Sequence, residues 1–201
     1  VPVRKADGAY FLELFHGPTC AFKDIALCLL PHLMKASAKS LSDNNEILIL
    51  TATSGDTGKA ALEGFRDVEG TRILVFYPRD GVSAVQKAQM VTQQGNNTHV
   101  CSVEGNFDDA QTGVKTAFRA LQEEFLSQGV RLSSANSINI GRLAPQVFYY
   151  FSAYRNLIDS GKIAFGDFVD YSVPTGNFGD ILAGYYAKLL GLPVGRLICA
   201  S

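Results

Sequence analysis

Three short segments of this 201-residue chain place glycine, hydroxyl and charged side chains directly around turns. The first is Thr51-Ala52-Thr53-Ser54-Gly55-Asp56-Thr57-Gly58, which follows an apolar run and opens a helical pattern. Its glycines let backbone approach a ligand, and its hydroxyls and helix N–H groups can donate to an anion, either a carboxylate or a phosphate. It is no P-loop, because Gly58-Lys59 is followed by Ala60 and Thr53 stands where the first glycine is required. A capped helix start after a tight turn would look the same.

The second segment is Pro174-Thr175-Gly176-Asn177-Phe178-Gly179-Asp180, again between an apolar run and a helical one. Glycines on either side of Asn177 and Phe178 point to consecutive N–H groups aimed at one anion, and the terminal phosphate of a cofactor would fit there. Many glycine-rich turns share this pattern. It is a poor dinucleotide fingerprint, since only Gly-x-x-Gly is present.

The third segment is Phe15-His16-Gly17-Pro18-Thr19-Cys20-Ala21-Phe22-Lys23-Asp24. Gly17-Pro18 marks a turn, Thr19 is a capping residue, and Ile25–Leu30 reads as a buried helix that Pro31 should kink or end. Lys23 then sits at the first turn, where burial and the positive end of the helix dipole both favour its neutral amine. A neutral amine is what Schiff-base chemistry needs. By itself, such a lysine reads first as a surface residue whose stem snorkels.

These turns need a scaffold, and the rest of the chain supplies one. Strand-like runs at Ile47–Thr51, Ile73–Tyr77, Thr98–Val103, Arg131–Ser133, Val169–Val173 and Gly195–Ser201 alternate with helical patterns. The helices are expected from Ala60, over Val82–Gln94, over Asp108–Phe125, from about Ala144 to Leu157, and over Asp180–Leu190. Such alternation predicts an α/β fold of parallel sheets with helices on both faces. Right-handed crossovers would bring the strand carboxyl ends, and the turns that follow them, to one edge where ligands bind.

Composition narrows the partners. With a net charge of -1, the chain lacks the basic excess of a general nucleic-acid surface. No apolar run reaches the ~18 residues of a membrane span, and the N-terminus lacks a signal-peptide pattern. The four cysteines form no CxxC pair and read as reduced thiols of a cytoplasmic or organelle-matrix protein. The three histidines are scattered and suggest no metal site. The strand-like run at the C-terminus predicts a portion of a larger protein.

Read together, the segments resemble the threonine synthase family. Leu12 to Thr19 with Ala21-Phe22-Lys23-Asp24 is similar to its lysine motif for pyridoxal phosphate (PLP), and Ala52–Gly58 to its substrate-side loop. Asn136-Ser137-Ile138-Asn139 leading to Arg142, and Gly176–Asp180, resemble two further segments in the family's order. The resemblance implies fold type II of the PLP enzymes and conversion of O-phosphohomoserine and water to threonine and phosphate. It makes Lys23 the Schiff-base lysine and catalytic base. Gly176, Asn177, Phe178, Gly179 and Asp180 become the cofactor-phosphate loop. Ser54, Gly55, Asp56, Thr57, Asn136, Ser137 and Arg142 become the substrate side, with Arg142 assigned to the substrate phosphate.

Ala84 stands where the family pattern leads one to expect proline, and Thr175 where it leads one to expect serine. The resemblance covers the middle of a chain about twice as long, so the partner of the pyridine nitrogen is expected beyond Ser201. It also divides the chain into residues 1–44 with 160–201, parts of the larger lysine-bearing domain, and residues 45–159, a smaller inserted domain. The expected protein is cytoplasmic, a monomer or homodimer, acting on a small molecule. Two other readings stay open: a synthase-like phospho-lyase releasing 2-oxobutyrate, and a non-catalytic nucleotide-binding module with the same strand–helix alternation.

Overall fold

The computed structural model describes residues 1–53, 55–136 and 139–201. The centre of the fold is a four-stranded parallel sheet. Its strands are β3 (Glu46–Ala52), β4 (Thr71–Pro78), β5 (Thr98–Val103) and β6 (Val130–Ser133), in the spatial order β5-β4-β3-β6. β3 lies inside and is buried on both faces, which is why its sequence reads as a continuous apolar run. Alternation along it divides the core. Ile47 and Ile49 pack with Leu27 and Leu30 of α1 (Asp24–Ser40) and with Leu62 and Phe65 of α2 (Asp56–Phe65). Leu48 and Leu50 face the other way, toward Ala110 and Val114 of α4 (Phe107–Ser127).

A separate parallel pair, β7 (Val169–Pro174) and β8 (Val194–Ala200), carries its own core. Val173 and Val194 pack there with Tyr149, Tyr150 and Tyr154 of α5 (Ile140–Asp159) and Ala183 and Ala187 of α6 (Gly179–Leu189). α3 (Ala84–Val91) completes the helices. The chain opens with an antiparallel hairpin, β1 (Val3–Ala6) and β2 (Ala9–Leu12), which the strand patterns do not announce. Its turn is Asp7-Gly8 with φ of 46° and 79°, the pairing that two-residue hairpin loops require.

Several boundaries differ from expectation for physical reasons. α1 does not end at Pro31 but runs on to Ser40. Proline removes the N–H that would have bonded the Leu27 carbonyl, and α2 approaches that carbonyl instead. A Cβ on Gly64 would lie 2.3 Å from Leu27 O, so only glycine permits this crossing. α2 begins at Asp56 rather than Ala60, and α5 at Ile140 rather than near Ala144, so Asp56, Thr57 and Arg142 lie in first turns. α3 starts at Ala84 rather than Val82, where Ser83 and Gln86 form a capping box, and it ends at Val91 rather than Gln94. No described helix is long and apolar enough to cross a membrane.

Candidate active site

The turns after β3, β6 and β7 meet the N-terminus of α1 around one cavity of about 240 Å³. Lys23 enters it from α1, Gly55, Asp56 and Thr57 from α2, Asn136 and Arg142 from the segment after β6, and Asn177 from the turn after β7. Seven residues singled out from the sequence therefore line one site. Ser54 and Ser137 lie outside the described residues. Beyond Asn136 and Asn177 the cavity continues into a groove of about 630 Å³ along α4, past Phe107, Val114 and Phe118.

Lys23 is the N-cap residue of α1. Burial pushes its amine below the usual lysine range. Asp56 and Asp180 oppose that shift, while Arg142 and Lys59 add to it. The ammonium lies 4.5 Å from the centroid of the Phe22 ring. The preceding loop is held by Asp24, whose carboxylate accepts from the Thr19 N–H at 2.9 Å, the Ala21 N–H at 3.3 Å and the Thr19 hydroxyl. Thr19 thus donates to a carboxylate instead of capping the helix. Asp24 fills the space where Gly17 would carry a Cβ, which would sit 2.3 Å from Oδ2. From α5, the Tyr149 hydroxyl donates to the Phe22 carbonyl at 2.5 Å.

The loop after β3 is organised by Thr53. Its buried hydroxyl accepts from the N–H groups of Gly55 and Gly58, each at 3.0 Å. Asp56 Oδ1 is 3.5 Å from Lys59 Nζ and accepts from Gln86 Nε2 at 3.2 Å. Asn136 donates to the Ala52 carbonyl at 3.1 Å, tying the turn after β6 to the end of β3.

Arg142 is the electrostatic anomaly of the site. It is only 4% exposed, and no described carboxylate pairs with it. Nη1 donates to the Ala135 carbonyl at 3.0 Å, while Nε has no partner among the described residues. Burial pushes its pKa down to about 10. A buried cation of this kind is costly unless an anion meets it.

The helix starts sort by position. α3, α4 and α5 are capped by the side chains of Ser83, Asn106 and Asn139. The three helices that begin at the Lys23, Gly55–Thr57 and Asn177 segments, α1, α2 and α6, have no side-chain cap from their N-cap residues. Within the turn after β7, Asn177 reaches the cavity, the Phe178 ring is exposed, and the space beside Gly176 is open. Asp180 turns toward α5: the Tyr150 hydroxyl donates to its carbonyl at 2.8 Å and to its carboxyl at 3.3 Å. Burial pushes this carboxyl up to about 6, with Tyr150 and Lys23 opposing.

Thr53, Gln86 and Phe107 also line the cavity, though the sequence did not single them out as site residues. For Gln86 a signal existed, the Ser-x-x-Gln spacing of a capping box at Ser83.

No family model matches this sequence. Among solved structures, the fold is shared at 19% identity with an O-ureido-L-serine synthase (TM-score 0.58, 90% of this chain and 52% of that one). This architecture is fold type II of the PLP enzymes. Greater likeness is found with PLP-bound threonine synthase from Brucella melitensis: 45% identity and a TM-score of 0.84 over 100% of this chain and 41% of that one.

In sequence the chain is 46% identical to Pseudomonas aeruginosa threonine synthase, across 100% of this chain and 41% of that protein. It is 47% identical to human threonine synthase-like 1, across 100% of this chain and 28% of that protein. Along its whole length, in sequence and in fold, the chain is similar to one part of the threonine synthases. It spans less than half the length of the relatives it matches.

Proposed function

We propose that these residues form the lysine and anion-binding part of a PLP-dependent threonine synthase, which in the whole protein converts O-phosphohomoserine and water to threonine and phosphate. The observation that carries this reading is the pairing, in one cavity, of a desolvated lysine with a buried guanidinium that has no carboxylate partner among the described residues. One group can give and take a proton, and the other awaits an anion.

The residues present fit the cofactor. Lys23 offers an amine that burial keeps toward its neutral form, as attack on an aldehyde requires. The uncapped start of α6, with open space at Gly176, suits the cofactor phosphate. There the main chain of Gly176–Asp180 would do the binding. The Asp180 carboxyl is turned toward Tyr150 of α5, whose hydroxyl donates to it at 3.3 Å, and burial raises its pKa to about 6. When bound, PLP supplies an electron sink for carbanions.

The chain's own residues then have distinct tasks. Lys23 takes and returns protons at the substrate carbons. The first turn of α2, with Gly55, Asp56 and Thr57 held in place by Thr53, receives the substrate carboxylate; Ser54 belongs to the same proposal. Arg142 receives the substrate phosphate, with Asn136 on the same side of the cavity; Ser137 belongs to the same proposal. The whole protein is read as a cytoplasmic monomer or homodimer, with this cleft between its two domains.

A second reading has a specific observation behind it, since a 47% identical relative bears the name threonine synthase-like 1. The same cavity would serve a phospho-lyase releasing 2-oxobutyrate. Incubating the full-length protein with PLP and O-phosphohomoserine and identifying the carbon product decides between them. Threonine is the expected product; 2-oxobutyrate in its place would overturn the synthase assignment.

A further inference from the structure

Gln86 stands at the start of α3, yet its side chain reaches the cavity that Lys23 enters. Both ends of its amide are engaged. Oε1 accepts from the Ser83 N–H at 3.2 Å, while the Gln86 N–H donates to Ser83 Oγ at 3.2 Å, closing the capping box. Nε2 donates to Asp56 Oδ1 at 3.2 Å. The two partners fix the amide's orientation, because Ser83 needs an acceptor and the carboxylate needs a donor. The backbone of α2 is shaped to admit this side chain: a Cβ on Gly55 would lie 2.6 Å from Nε2. A surface cap would need only the Ser83 half of this arrangement.

We propose that Gln86 is a positioning residue of the cleft, closing the cap of α3 with Oε1 while Nε2 holds Asp56 and fixes the first turn of α2 beside Lys23. The inference rests on Lys23 being the cavity's reactive amine. The charges around that amine are Asp56 and Lys59 from α2, Arg142 from α5 and Asp180 from α6. Lys59 also approaches Asp56 Oδ1, at 3.5 Å, so two donors converge on one carboxylate oxygen. Asp56 is the leading group that favours the charged lysine. Burial is the larger influence on the amine, and the position of Asp56 modulates it.

Gln86→Glu separates the two tasks. Glutamate serves a capping box as well as glutamine does, so α3 keeps its start. The donor to Asp56, however, becomes a second carboxylate. In the full-length apo protein, the pH dependence of Lys23 acylation, read by peptide mass spectrometry, is expected to move up by about one unit. Thermal unfolding is expected to fall modestly, because the two carboxylates face each other at the distance of the lost hydrogen bond. Combining Gln86→Glu with Asp56→Asn restores the hydrogen bond with donor and acceptor exchanged and restores the net charge. Lys23 titration should then return to the parent position.

An unchanged titration in Gln86→Glu, or no return in the double variant, overturns the proposal. Failure of the underlying reading is distinguishable, because it appears in the parent protein as absence of a PLP adduct at Lys23.

Discussion

The Tyr149 hydroxyl donates to the Phe22 carbonyl at 2.5 Å, joining the middle of α5 to the residue just before Lys23. Tyr149 is buried and Phe22 half-buried, so the bond is partly shielded from water. Tyr149→Phe would remove this donor from the half-buried Phe22 carbonyl, at a cost of about 1 kcal/mol. A lowered denaturation midpoint in the full-length protein is expected, together with slower PLP incorporation. A variant as stable as the parent would show that the carbonyl finds another partner.

Arg142 separates an effect on stability from one on substrate binding. Removing a buried charge that no described carboxylate meets should relieve a desolvation cost. Arg142→Met relieves that cost but also removes the donor that meets the Ala135 carbonyl at 3.0 Å, so the apo protein is expected to stay within about 2 kcal/mol of the parent stability. Its KM for O-phosphohomoserine should rise by a factor of about ten or more, the loss of one charge-assisted contact. A destabilised variant with unchanged KM would make Arg142 a structural residue.

Gly64 tests the crossing of α1 and α2. The obstacle to a side chain is the backbone oxygen of Leu27, which Pro31 leaves without its usual helical donor. Gly64→Ala should cost about 1–3 kcal/mol by overpacking, measured by chemical denaturation. The same change at Gly176, where a Cβ meets nothing, should be nearly neutral for the apo fold. It should weaken PLP binding if that space receives the cofactor.

Asp180 gives a pH dependence with a definite sign. Its carboxyl titrates at about 6 in the fold against 3.8 as a free group, so between those values the folded state binds more protons than the unfolded state. Stability from this group is then fully present below about pH 4 and is lost as pH rises through about 6. Unfolding of the apo protein across pH 4–7 should show this downward contribution in the parent and not in Asp180→Asn. Matching pH profiles for the two proteins would mean that Asp180 is solvated.

Much of this was legible in the residues. Buried parallel strands carry long apolar runs, so β3 and β4 could be found by composition, and β5 was located to the residue. The chemistry-bearing turns could be found because they follow those strands. What the pattern hid were effects of tertiary contact. Pro31 breaks helices in isolation, but here α2 packs through Gly64 on the carbonyl it frees. The β1–β2 hairpin was marked only by Asp7-Gly8. Gln86 belongs to the site through a contact 30 residues away in sequence, with Asp56. Lys23, judged by its neighbours alone, reads as a surface residue; the fold shows that burial lowers its proton affinity.

Lys23 is proposed to hold the cofactor. Borohydride reduction of the full-length protein with PLP, followed by peptide mapping, tests it most directly. A single pyridoxyl label is expected on Lys23, absent from Lys23→Ala. A label on Lys59 or another lysine, or none at all, would contradict it.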